Sequence, residues 1–128
     1  MLRSLLGFSA KKKEVYVGRI RHILVNELGI DVDNSTNPNF LPFLGYIEII
    51  DRFFYKKRTP EHCALFLAGD YWERLLLTEN KKDFEEAVQL KPKFVCAINK
   101  YSDAGMLFPE LTARFYNIVS VVSDKYSI

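Results

Sequence analysis

Apolar and polar positions alternate with helical spacing along almost the whole chain. From Lys11 to Leu28 the residues Tyr16, Ile20, Ile23, Leu24 and Leu28 recur at intervals of three and four, which aligns them on one face of a helix. Gly29 follows, a residue that ends helices by turning left-handed without steric cost. The next stretch, GIDVDNSTNPN, is polar and full of turn formers, and reads as a surface loop. Beyond it, Asn39 is placed to cap a second helix with Phe40, Leu41 and Pro42 in its first turn. The stripe Phe43, Tyr46, Ile47, Ile50, Phe53 and Phe54 carries that helix to Lys56, Lys57 and Arg58, cations that suit the negative end of its dipole.

Thr59, Pro60 and Glu61 supply a cap, a proline at the first helical position and an acid in the first turn, which together start a third helix. Its apolar rows, Ala64–Leu67–Ala68–Tyr71–Leu75 and Leu65–Trp72–Leu76, lie side by side and predict broad burial. A bend or break is expected at Gly69–Asp70, and Asp70 pairs with Arg74 on the solvent edge. Asn80 caps a short fourth helix that should stop before Pro92, because the residue preceding a proline avoids helical angles. Pro92 opens a fifth helix closed by Gly105; a short strand at residues 94–98 is the alternative, since FVCAI also suits a strand. The last helix begins at Pro109, with the stripe Leu111, Phe115, Ile118, Val122, Tyr126 and a surface pair Glu110–Arg114. Consecutive helices with short links predict an all-α, single-domain bundle of five or six helices over residues 11–128. Residues 1–10 read as a flexible or short amphipathic leading segment.

Composition adds one constraint. In 128 residues, 48% hydrophobic and 14% aromatic content suffices for one well-filled core without covalent staples. Cys63 and Cys96 stand in no metal or redox spacing, which suits a reducing, cytoplasmic compartment. No apolar run reaches the ~20 residues that a bilayer span requires. Charge is uneven: Arg3, Lys11, Lys12, Lys13, Arg19 and Arg21 face Glu14 alone in the first fifth of the chain, and the remainder has an acidic excess.

Candidate chemistry concentrates in TPEHCALFLAGDYWERLLL, residues 59–77, which holds His62, Cys63, acids and an arginine. A cysteine nucleophile needs an imidazole that meets its thiol and a third group that orients the imidazole. Neighbours on a helix diverge by about 100°, so His62 and Cys63 cannot face one another, and Asp70 lies about 10 Å along the axis from Cys63. His22 is the only other histidine. Two scattered histidines and two scattered cysteines do not make a zinc site. Phosphate loops, dinucleotide glycine patterns, serine elbows and His-Glu-x-x-His helices have no counterpart in these residues.

The sequence therefore reads as no enzyme, with no cofactor, metal or small-molecule substrate, and its role falls to its surface. The expectation is a protein-binding module acting as an inhibitor or immunity-type protein that blocks a partner such as a toxin or nuclease. Aromatic and charged residues in loops and at helix ends are the candidate contacts: Phe40, Phe43, Tyr55, Lys56, Lys57, Arg58, Tyr101 and Asp103. The alternative is an accessory protein that binds an anionic surface, nucleic acid or membrane, through Arg3, Lys11, Lys12 and Lys13 behind the apolar residues Leu2, Leu5 and Leu6.

Overall fold

The periodicity resolves into five α-helices, and no strand occurs among the described residues. The computed structural model describes the backbone of residues 2–126 and the side chains of residues 11–120. Helix α1 spans Leu2–His22 and widens into a π turn, Ile23–Glu27; a 3₁₀ turn, Phe43–Tyr46, leads into α2, Ile47–Tyr55. Helices α3, α4 and α5 span Pro60–Leu77, Lys81–Asp103 and Pro109–Tyr126. Residues 2–10 continue α1 instead of forming a separate segment. The side chains of Leu2, Arg3, Leu5, Leu6, Val122 and Tyr126 lie outside the described residues.

The helix ends follow local sequence. The Thr59 Oγ1 accepts the His62 backbone N–H at 3.1 Å, and Asn80 Oδ1 accepts that of Lys82 at 2.9 Å, so each satisfies a donor that the first turn leaves orphaned. Gly29 sits at φ +67°, and the Ile30 N–H reaches back to the Leu24 carbonyl at 2.9 Å, closing the π turn. Gly105 closes α4 in the same left-handed conformation.

Helix α3 is the centre. Both apolar rows expected of it are buried, and α1, α4 and α5 pack around it. The Trp72 ring lies 5.6 Å from that of Phe94, which in turn meets Phe115 at 5.4 Å, so one aromatic chain joins α3, α4 and α5. The Trp72 indole N–H donates to the Ala87 carbonyl at 3.0 Å, satisfying the polar atom of a fully buried ring.

The structure departs from the sequence reading in several of its elements. Helix α3 is continuous through Gly69, which is buried with its Cα facing Phe94 and Ile118; a Cβ there would make ordinary contact with Phe94 at 3.4 Å. Helix α4 continues through Pro92 as one element, which removes both the expected stop and the strand at 94–98. Buried residues on both sides of the proline, Leu90 and Phe94 among them, hold the helix against α3 despite the missing N–H. Asn39 caps no helix, because the Leu41 N–H bonds to the Asp31 carbonyl at 2.7 Å and Leu41 is drawn into the core, delaying helix onset to Phe43. Ile30 and Val32 of the polar loop are also buried. Glu110 and Arg114 do not pair: Glu110 meets Arg58 at 2.7 Å, and Arg114 reaches Asp70 and Glu73 from across the α3–α5 interface. The Asp70–Arg74 pair is present at 3.6 Å.

Candidate functional site

The side chains with catalytic potential are held apart. His62 is 1% exposed, wedged between the rings of Phe53 and Phe108 at 5.5 and 5.4 Å. Its Nδ1 accepts the Phe108 backbone N–H at 3.1 Å, which assigns the ring proton to Nε2. That Nε2 is buried without a hydrogen-bond partner, with the Glu110 carboxylate 4.0 Å away. Burial holds the imidazole below the usual histidine pKa; the Glu110 charge works against this and Arg58 adds to it. Cys63 is fully buried, and burial pushes its thiol up to about 12, with the neighbouring Tyr16 hydroxyl opposing the shift. His22 is exposed on α1, where its Nδ1 lies 3.0 Å from the Asn26 amide. Among the described residues no group of acids, histidines and cysteines is arranged to hold a metal ion.

A polar cluster ties the π turn to α3 and α4. The Tyr101 hydroxyl donates to Glu27 Oε2 at 2.5 Å and accepts from Arg19 at 3.1 Å; Arg19 also reaches Glu61, and Lys100 reaches Glu27 at 3.2 Å. Burial alone would raise the Glu27 carboxyl, but the bonds from Tyr101 and Lys100 outweigh it and hold the carboxyl below its usual range. The cluster thus keeps a carboxylate ionised and a phenol protonated, as a structural clasp does.

The exterior brings together residues that the sequence separates. Lys13 of α1 forms an ion pair with Asp51 of α2 at 2.5 Å, and its ammonium lies 5.8 Å from the centre of the Tyr55 ring. Lys13 and Tyr55, one from each candidate group, therefore meet where α1 packs beside α2. Tyr55 is 69% exposed, and Ile47 at the start of α2 and Leu44 in the 3₁₀ turn are 47% and 80% exposed. Ile47 was expected in the buried stripe. Ile47 is the first residue of α2 and stays exposed at the end of the element, while Ile50, Phe53 and Phe54 further along pack on the core.

At the Leu44 end, a cleft of about 370 Å³ opens between the 3₁₀ turn and the preceding loop. Val32, Phe40, Pro42 and Phe43 give it apolar walls, and Arg21, Asp33 and Ser35 its polar ones. Arg21 and Asp33 form an ion pair across it. The loop wall is set by Asp31, whose Oδ1 accepts the backbone N–H groups of Asn34 and Asp33 at 3.0 and 3.1 Å; these hold its carboxyl below the usual range.

The remaining candidates divide between core and surface. Phe43 is buried and presents itself only to the cleft, while Phe40 is half-buried beside it. Tyr101 is 2% exposed inside the polar clasp. Arg58 stacks 4.0 Å from the Phe108 ring and bonds Glu110. Lys11, Lys12, Lys56, Lys57 and Asp103 are exposed. Sequence reasoning missed Leu44 and Ile47; Leu44 carries one signal, an apolar residue outside the expected stripe and next to Gly45. Cys96 is exposed on α4. No helix among the described residues is long and apolar enough to cross a membrane. Compared with protein families, curated proteins and solved structures, the chain matches none.

Proposed function

We propose that the chain is a non-enzymatic protein-binding module that occupies and blocks a partner protein, in the manner of small inhibitors and of immunity proteins that neutralise a toxin or nuclease. The observation that supports this is the exposed apolar surface of α2 and the turn before it: Leu44 lines an apolar cleft, Ile47 follows it at the start of α2, and Tyr55 is exposed at the far end of the same helix. Contiguous apolar and aromatic surface ringed by charge is the composition of protein interfaces, whereas apolar residues scattered singly carry no such meaning. The reading requires no cofactor and no small-molecule substrate. Both cysteines are free thiols, which fits a reducing compartment, and we infer a cytoplasmic setting.

The test is recovery of the tagged chain from its native lysate, identification of the protein that accompanies it at equal stoichiometry, and assay of that protein's own activity with and without the chain. Equal recovery with suppressed activity is the expected result. Recovery of the chain alone, or a partner whose activity is unchanged, overturns it. The anionic-surface reading has a different mark: binding to anionic vesicles or nucleic acid that falls steeply with salt and is abolished when Lys11, Lys12 and Lys13 are replaced. Lys13 already has a partner in Asp51, which lowers what that run offers to phosphate.

A further inference from the structure

The geometry points to the chemistry of the partner: the α1–α2 edge takes a short protein segment with a bulky apolar residue at one end and carboxylates at the other. This rests on the protein-binding reading above and adds the kind of surface that fits.

The edge is polarised. At the Leu44 end the cleft is walled by Phe40, Pro42 and Phe43 and is large enough to admit one aromatic or branched aliphatic side chain. At the far end of α2, Arg52, Lys56 and Lys57, neighbours of Tyr55 in the chain, are exposed. Leu44 to Tyr55 covers about 17 Å at roughly 1.5 Å per residue, the length of three helical turns of a bound segment. Between the ends, Ile47 offers apolar contact and Asp51 is neutralised by Lys13. Glu48 is exposed near the cleft end of α2, so it repels a carboxylate there and favours one placed against Lys56 and Lys57. Nucleic acid satisfies only half of this surface. Phosphates suit the lysines and a base can stack on Tyr55, but the aliphatic Leu44 and Ile47 give a base no ring to stack on, whereas an acidic amphipathic segment fills both halves.

Peptides of about twelve residues, long enough to span about 18 Å as a helix, are displayed on phage and selected against the full chain, and the selected sequences are synthesised and titrated. The expected winners carry a large apolar residue and two or more Asp or Glu towards the other end. Their Kd should rise roughly tenfold or more for Leu44→Asp, and by a similar factor for Lys56→Glu/Lys57→Glu, with circular dichroism unchanged because all three positions are on the surface. No enrichment, or winners without acids, or winners indifferent to both variants, overturns the inference. So does displacement of the peptide by single-stranded oligo-dT through the lysines with no effect of Leu44→Asp, which would assign the edge to nucleic acid. A blocked native partner that is unaffected by these substitutions would sink this inference while leaving the protein-binding reading intact. Absence of any native partner would sink that reading whatever peptides are selected.

Discussion

Protonation of His62 would demand two things that its surroundings refuse. The Nδ1 position already accepts the Phe108 N–H, so a proton there breaks that bond, and the new charge would sit in a site closed to water. The charged groups facing it are Arg58 from the α2–α3 turn, which disfavours the cation, and Glu110 from α5, which favours it but is engaged by Arg58. The folded-state pKa is therefore depressed below the ordinary histidine value of 6.5, and the native protein binds fewer protons than the unfolded chain just below that pH. This contribution to stability is complete above about pH 6.5 and is lost as the pH falls through the lower folded value. The urea midpoint of the wild type should drop between about pH 7 and about pH 5, while His62→Gln, which has no titrating ring, should start lower and stay flatter across that window. A midpoint as flat in the wild type as in the variant would show that the ring titrates normally.

Helices α2 and α4 show where local rules yield to tertiary ones. Pro92 deprives the Val88 carbonyl of its helical partner, and α4 persists because buried residues before and after it are fixed on α3. Pro92→Ala restores the missing donor in a helix already built, so it should raise stability by about 1–3 kcal/mol, seen as a higher urea midpoint at unchanged m. A lower midpoint would mean that the ring itself packs usefully. The starts of α3 at Thr59–Pro60–Glu61, of α4 at Asn80 and of α5 at Pro109 were legible because each is decided within four residues. The start of α2 was not, since a backbone bond from Leu41 to Asp31 and the 3₁₀ turn after it are set by how the loop closes. Ile47 was not legible either: helical spacing aligns it with Phe54, yet at the first position of α2 it is left exposed.

At the scale of the whole molecule, an all-α bundle with α3 at its heart was legible, because broad apolar rows on one helix require neighbours on several sides. The candidate site was legible only in pieces. Tyr55 and the lysines of both runs could be named, but not that Lys13 would reach across to Asp51 and Tyr55, which is a consequence of how α1 crosses α2. Tyr101 illustrates the converse, an aromatic near a helix end that reads as surface and is drawn inward by the Glu27 carboxylate. The contrast between the two cysteines has a practical outcome of its own. Cys63 is sealed in the core and Cys96 stands in solvent on α4, outside the edge assigned to the partner, so the native chain carries a single attachment point for a thiol-reactive dye. A maleimide reagent should couple once to the folded protein and twice in urea, and a fluorophore placed at that point would report docking through rotational slowing without intruding on the contact.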